Sequence, residues 1–575
     1  VEIQVDSSSQ KIEPKERSFV LKQKSKFPST WNMIFCLIIC FSFFTVGCKE
    51  QPGLKFVISY DSEVSEGPIT GRVYVMIAKD DRREPRLQVR TYGIPFFGRD
   101  VQELEPEEPV IIDQDVFGYP VENMRDIPPG EYYVQGFVNI YTEFKRADGH
   151  TVWMHNDQWE GQRWNISPGN IHSDVLKVKL DPNEAQTIKL VCSSVIPPIE
   201  IPPDTEWVKR IKFQSEILSE FWGQPMYLGA TILLPKGYDE LPDVHYPVNY
   251  IQGHFSLRPP NGFTTEESED GGQWRGMGPE FSKFWMSKEC PRMLLVTFQH
   301  PCPYYDDSYA VNSANCGPYG DAIMQELIPY VEEHFRVIRK PYARVLSGGS
   351  TGGWEALALQ IFRPDFFGGT WALCPDPVDF RYFQTINIYN DKNAYFKEFG
   401  WIKVPTSSDR SPDGIVRLTI QQRNHMELVM GTKNRSGEQV DIFEAVFGPV
   451  GPDGYVKPLF DKRTGEMDHS VAEYWKENFD LRHILERDWA TLGPKLVGKL
   501  HIYVGDMDTF YLDNAVRLLE KFLEGTTDPY FAGVVEYGDR RPHCWGPGRT
   551  ELLTMMAGHI TENAPDGEDT SQWKY

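Results

Sequence analysis

The sequence predicts an α/β catalytic half with a mostly parallel sheet, preceded by an all-β, sandwich-like N-terminal half. Three observations carry this expectation: period-two apolar alternation early in the chain, strand and helix patterns that alternate after a proline-rich linker, and a glycine-flanked serine at a strand-to-helix turn. At 575 residues the chain exceeds the roughly 250–300 residues over which one core grows, so at least two domains are expected.

From about Leu54 to Val195, the stretches Arg72–Ala78, Arg86–Arg90, Glu131–Tyr141 and Asp174–Leu180 alternate apolar and polar residues, with Pro and Gly between them. This is the pattern of short antiparallel strands in a sandwich. Residues 196–205, which open Ile196-Pro197-Pro198, form a stiff extended linker, and the domain boundary falls there. Beyond it, strands are expected at Tyr227–Pro235, Tyr246–Gln252, Arg292–Phe298, Arg344–Leu346, Thr370–Leu373, Lys499–Val504 and Val534–Tyr537. Helices are expected at Asp321–Phe335, bent at Pro329, and at Thr351–Phe362, Asn514–Phe522 and Thr550–Glu562. The catalytic domain so defined spans 206–563. An insertion over about 379–498 interrupts it as a lid or substrate wall, and 564–575 is a polar tail.

The N-terminal 48 residues read as an export leader. Lys11, Lys15, Arg17, Lys22, Lys24 and Lys26 precede the apolar run Met33–Val46, which is shorter than the roughly 20 residues of a membrane span. Thr45-Val46-Gly47-Cys48 resembles a lipobox, so Cys48 is the expected lipid attachment point. Membrane association is expected through that lipid alone, in a lipoprotein at the cell envelope or a periplasmic or secreted protein. Six cysteines remain after the leader. An oxidising compartment permits disulfides among them, and Cys302 with Cys316 is the first pair to test.

A formal charge of -23 and the lack of a basic, aromatic-interleaved patch exclude nucleic acid as a partner. There is no His-Glu-x-x-His and no glycine-rich phosphate loop ending in Lys-Ser/Thr, so no cofactor and no metal is expected. Asp306 and Asp307 beside Tyr304 and Tyr305 read as solvated or pocket-lining carboxylates rather than ligands. Trp153, Trp159 and Trp164 read as core or interface residues in preference to a sugar-stacking face.

Ser350 stands in Gly348-Gly349-Ser350-Thr351-Gly352, between a strand and a helix. Such a tight turn presents a hydroxyl nucleophile, with glycines where backbones cross. The Thr351 N–H at the helix start is one expected oxyanion donor, and backbone N–H groups of His254 or Phe255, after Gly253, supply the other. His254 as a base is the discounted alternative. His543, in the loop before the last helix, is the expected base, while His559 in that helix reads as a surface residue. The acid is Asp508 or Asp506 in Gly505-Asp506-Met507-Asp508, directly after a strand.

Residues from about Trp207 to His559 resemble the esterase family of α/β-hydrolases that includes S-formylglutathione hydrolase, feruloyl esterases, mycolyltransferases and enterochelin esterases. The matching stretches are Tyr246-Pro247-Val248 leading to Gly253, Gly317–Asp321 with Glu326–Tyr330, the Ser350 elbow, Gly505–Asp508, and His543 with Trp545. The resemblance implies an α/β-hydrolase fold and favours Asp508, third after the glycine, as the acid. Gln252 stands where the family usually has histidine, and the long insertion is a second departure. The expectation is a serine carboxylic-ester hydrolase acting through an acyl-enzyme on Ser350, on small or polysaccharide-linked esters, including those of aromatic acids. An acyltransferase of the same fold and a surface carbohydrate-binding protein with an inactive hydrolase domain are the alternatives. Oligomeric state is left open.

Overall fold

A computed structural model describes residues 53–265 and 277–574, so the leader and Cys48 lie outside the described residues. From residue 53 onward the chain forms one compact unit. The first ten strands are β1 (Leu54–Tyr60), β2 (Ile69–Ala78), β3 (Phe96–Leu104), β4 (Val110–Ile112), β5 (Gly118–Tyr119), β6 (Gly130–Lys145), β7 (Thr151–His155), β8 (Ile171–Ser173), β9 (Leu176–Leu180) and β10 (Gln186–Val195). They pair in the order β4-β1-β10-β8-β6-β2-β3-β5, with β7 and β9 also on β6. The expected strand at Arg86–Arg90 is instead a 3-10 turn, Pro85–Gln88. Pro85 fixes φ and removes a ladder donor at its start, and the Arg86 N–H goes to Gln135 Oε1 at 3.1 Å rather than to a neighbouring strand.

Residues 196–205 run without regular structure into β11 (Val208–Ser215). The second sheet adds β12 (Met226–Leu233), β13 (Val248–Gln252) and β14 (Leu294–Gln299). After the two-residue pair β15 (Asn312–Ser313) and β16 (Gly317–Pro318) come β17 (Arg344–Gly349) and β18 (Gly369–Leu373). The insertion carries two hairpins, β19 (Phe396–Phe399) with β20 (Ile402–Pro405) and β21 (Ser407–Arg410) with β22 (Val416–Thr419). The sheet closes with β23 (Leu500–Gly505) and β24 (Val534–Gly538). Its order is β11-β12-β14-β13-β17-β18-β23-β24. The pairs β11/β12 and β12/β14 are antiparallel, and the five from β14/β13 to β23/β24 are parallel. Parallel strands aligned this way bring their C-terminal ends, and the loops that follow, to one edge of the sheet.

The helix expected at Asp321–Phe335 is Tyr319–Ala322 and Ile328–His334 joined by a π-turn, Ile323–Leu327. The wider turn ends just before Pro329, whose missing N–H rules out a regular continuation. His559 is half-buried, not a surface residue. Its Nε2 bonds Gly368 O at 2.9 Å, and its ring stands edge-on to Trp371.

Strand β2 joins the N-terminal sheet to the insertion. Val73, Val75 and Ile77 point into a core with Phe56 and Ile58, while Tyr74 and Met76 point the other way, onto Met426, Val429 and Met430 of the insertion helix Ile420–Met430. That helix begins with a capping box, Thr419 and Gln422, and its last carbonyls are met from the N-terminal sheet. Arg72 Nε donates to Val429 O at 3.0 Å, Tyr74 OH donates to Met430 O, and Asp100 pairs with Arg72 at 2.6 Å. A buried cation there meets carbonyls that the helix cannot satisfy itself and opposes its dipole. Trp164 stacks on Tyr74 and donates to Ser436 O at 3.2 Å, and Trp159 meets Phe255 edge-on, so both are interface residues. Replacing Arg72 with Ala leaves the Val429 carbonyl without its donor and Asp100 with Arg435 as its remaining cation. The expected loss is about 1–3 kcal/mol in urea unfolding, with a raised KM because the same helix carries a pocket wall.

Candidate active site

The elbow is built by close backbone crossings. A Cβ on Gly348 would lie 2.2 Å from Gly352 O, and one on Gly352 would lie 2.2 Å from Gln252 O, at the end of β13. Only glycine allows β17, the following helix and the end of β13 to converge. Ser350 is therefore held at φ 59 and ψ -123, a conformation a serine adopts only when its surroundings impose it. Its N–H is bonded to Leu373 O at 3.0 Å, and the helix Thr351–Phe362 starts immediately after it.

His543 Nε2 lies 3.0 Å from Ser350 Oγ, and His543 Nδ1 lies 2.7 Å from Asp508 Oδ2. The structure thus brings together three residues expected from sequence, with Asp508 rather than Asp506 hydrogen-bonded to the imidazole. Asp508 is fully buried, and its Oδ1 accepts from the N–H groups of Phe510 at 2.9 Å and Leu512 at 3.3 Å. Asp506 has no hydrogen bond to the imidazole; its backbone N–H bonds Gly538 O at 3.0 Å. The base loop is seated against the acid loop, because Met507 N–H bonds Arg541 O at 3.1 Å. Phe510 packs edge-on against the His543 ring at 4.8 Å. Ser, His and Asp linked in this order can move the serine proton to the imidazole and stabilise the resulting cation.

Thr351 occupies the first turn of the nucleophile helix, as expected. The Gly253 turn lies against Gly352, with Gly253 N 2.9 Å from the position a Gly352 Cβ would take. The side chains of the two expected oxyanion residues face elsewhere: His254 Nδ1 meets Asp306 Oδ1 at 3.0 Å and Asp307 Oδ2 at 3.1 Å, and Phe255 packs on Trp159. Asp307 is buried, which corrects the solvated reading, and Asp306 is largely so. Burial pulls the His254 imidazole down, but the two carboxylates outweigh it and hold its pKa well above the ordinary histidine range.

Asp376 follows β18 in Cys374-Pro375-Asp376-Pro377-Val378, a stretch to which the sequence assigns no catalytic role. In the structure its Oδ1 lies 3.5 Å from Ser350 Oγ, and its Oδ2 accepts from Tyr309 OH at 2.7 Å and Thr351 Oγ1 at 3.0 Å. Burial pushes its carboxyl above the usual range. The cavity beside Ser350 is lined by Asp376, Pro377 and Phe510 and, from the insertion, by Gln384, Arg423, Glu438, Gln439 and Phe443. No periodicity marks these insertion residues, since they come from a loop and two helices that only tertiary packing assembles.

The disulfide joins Cys374, at the end of β18, to Cys544, next to the base. Cys302 and Cys316, the pair suggested by sequence, are both free and buried. Cys544 Sγ lies 3.3 Å from the position of a Gly349 Cβ, so the bond fastens the base loop onto the elbow. Reduction with dithiothreitol, or Cys544→Ser, is expected to lower kcat by about tenfold to a hundredfold with unchanged far-UV circular dichroism. Burial raises the Glu438 pKa to about 7 against the lowering effect of Arg423. The pocket is thus neutral at this position below that pH and anionic above it. The KM of an anionic ester is expected to rise severalfold from pH 6 to pH 8 in steady-state assays, and the rise to vanish in Glu438→Gln.

Residues 226–431 match the family model Esterase, described as "Putative esterase". No curated protein matches the chain at a significant level. Among solved structures, a ferulic acid esterase is 15% identical, covering 61% of this chain and 95% of its own, with a TM-score of 0.32. S-formylglutathione hydrolase from Agrobacterium tumefaciens is 14% identical over 63% and 97%, with a TM-score of 0.32. Fluorophosphonate-binding serine hydrolase F from Staphylococcus aureus is 13% identical over 61% and 98%, again with a TM-score of 0.32. The stretch 226–431, which carries the elbow and the strands on either side of it, is similar to the esterase family, and that similarity supports a carboxylic ester hydrolase.

Proposed function

We propose that the chain hydrolyses esters through an acyl-enzyme on Ser350. The observation that supports this most strongly is the continuous hydrogen-bond series Ser350–His543–Asp508. His543 takes the hydroxyl proton as Ser350 attacks the carbonyl carbon, and the negative charge on the carbonyl oxygen is met by the Thr351 N–H and by a backbone N–H of the His254–Phe255 turn. The proton on His543 then passes to the alkoxide of the leaving alcohol. Water, deprotonated by the same imidazole, resolves the acyl-enzyme and frees the acid.

The cavity suits an aromatic acyl group with polar substituents. Phe443 and Phe510 offer faces and edges to a ring, while Gln384, Arg423 and Gln439 offer hydrogen bonds to hydroxyl groups around it. Hydroxylated aromatic acid esters, free or linked to a polysaccharide, are the substrates in this reading. The N-terminal strands act as a sandwich-like support ahead of a mostly parallel catalytic sheet. The leader ending at Cys48 marks an exported enzyme, held at the envelope by a lipid or secreted. Among the described residues no helix is long and apolar enough to cross a membrane.

Hydrolysis of p-nitrophenyl acetate and methyl ferulate is expected in the wild type and is expected to fall by about 10⁴-fold or more in Ser350→Ala and His543→Ala. A Ser350→Ala protein as fast as wild type sinks the proposal. Activity on p-nitrophenyl acetate without any on methyl ferulate overturns the substrate reading alone.

A further inference from the structure

A cluster of ionisable side chains outside the catalytic series joins three segments beside the nucleophile. His254 follows the Gly253 turn after β13. Asp306 and Asp307 lie in the loop after β14. Glu355 projects from the nucleophile helix, five residues past Ser350. His254 Nδ1, Asp306 Oδ1 and Asp307 Oδ2 lie within 4.8 Å of one another, with both oxygens converging on the one nitrogen at 3.0 and 3.1 Å. Adjacent donors around a six-coordinate divalent ion, at about 2.1–2.2 Å from it, stand about 3 Å apart. The spacing of this set therefore needs little change to hold one.

A second observation points to a ligand at the same place. Glu355 is completely buried, and neither of its carboxyl oxygens has a hydrogen-bond partner. Burial, with Asp307 beside it, pushes its carboxyl well above the usual carboxylate range. The other polar group nearby, His300 Nε2, is also buried without a hydrogen bond and stands 3.9 Å from Glu355 Oε1. His300 contributes no charge, since burial lowers its pKa to about 4 and its Nδ1 accepts the Ser308 N–H at 3.1 Å. A buried carboxylate is normally paired or coordinated. Three of them share one small volume here, with His254 as the nearest cation.

We propose that His254 Nδ1, Asp306 Oδ1 and Asp307 Oδ2 form a divalent-cation site of the Mn²⁺ or Zn²⁺ class, with Glu355 buried behind Asp307. One imidazole with two carboxylates favours those ions over Ca²⁺ and Mg²⁺, which prefer oxygen alone. His254 presents its outer edge to solvent, which gives the ion an entry path. Once bound, the ion ties the turn after β13 to the loop after β14, which contributes Tyr305 to the pocket beside Ser350. Its place is thus positional, and the proposal stands apart from the ester chemistry.

The test uses the full chain dialysed against EDTA and then titrated with MnCl₂ or ZnCl₂ by calorimetry. One ion per chain is expected for at least one of the two metals, with a raised Tm. Bound Mn²⁺ is expected to show nitrogen hyperfine coupling from a single imidazole in pulsed electron paramagnetic resonance. Affinity is expected to fall at least tenfold in Asp306→Asn with Asp307→Asn, and the nitrogen coupling to disappear in His254→Ala. Neither heat nor Tm shift with either metal in the wild type overturns the proposal, as does unchanged binding in the folded double variant or persistent nitrogen coupling in His254→Ala. If the double variant does not fold, Asp306→Asn alone, at the more exposed carboxylate, takes its place, and unchanged affinity there is equally fatal.

Discussion

The site depends on one steric constraint, the convergence of three backbones at Gly348, Gly352 and the end of β13. Without side chains at those two positions, β17 can turn sharply into the helix while Gln252 O passes within van der Waals distance of Gly352. Everything chemical follows from that geometry. Ser350 is forced into its positive-φ conformation with its hydroxyl at the sheet edge, the helix start lies beside it, and the Gly253 turn is brought alongside. The acid and base arrive from β23 and from the loop after β24, two strands that the parallel register places at the same edge. A catalytic series drawn from residues 350, 508 and 543 is thus a consequence of sheet topology plus one crowded turn.

The pocket rests on a different interaction. Its wall is the insertion helix Ile420–Met430, fastened to the N-terminal sheet, and the segment that follows, whose Gln439 and Phe443 also meet Tyr309 of the catalytic half. Arg72 and Tyr74 satisfy the helix C-terminus, Arg435 pairs with Asp100 at 2.8 Å, and Trp164 holds Ser436. A long insertion with few contacts of its own would be mobile. Here the N-terminal half supplies a buried, directional anchor, which accounts for a β module that contributes no residue to the catalytic series.

The catalytic series was legible because each member sits in a local pattern: glycines around Ser350, a strand end before Asp508, a loop between strand and helix for His543. The choice of Asp508 over Asp506 came from family likeness and is matched by the 2.7 Å bond to the imidazole. Strand patterns failed at Arg86–Arg90, where apolar alternation was real but Pro85 dictated a 3-10 turn. The cysteine pairing was missed because Cys374 and Cys544 are 170 residues apart, and only the fold brings them together. Asp376 and the Arg423–Gln439 wall were illegible as a site for the same reason. Their meaning lies in what they face, which composition and spacing do not encode.

That wall raises an electrostatic question, because carboxylates near a developing oxyanion oppose it. Asp376, Asp306, Asp307 and Glu438 all lie around the nucleophile, and a fully ionised set would raise the barrier to attack. The structure answers in two ways. Burial shifts Asp376 upward, Asp306 to about 6 and Glu438 to about 7, moving each towards its neutral form. The charge that remains is met locally, at Asp376 by the Tyr309 and Thr351 hydroxyls and at Asp306 and Asp307 by the His254 imidazole. Asp508, fully buried behind the base, faces the imidazole, where a carboxylate assists proton transfer from Ser350 instead of opposing it. Acidity in this site is therefore sorted by position: compensated or neutralised on the substrate side of Ser350, and retained behind the base.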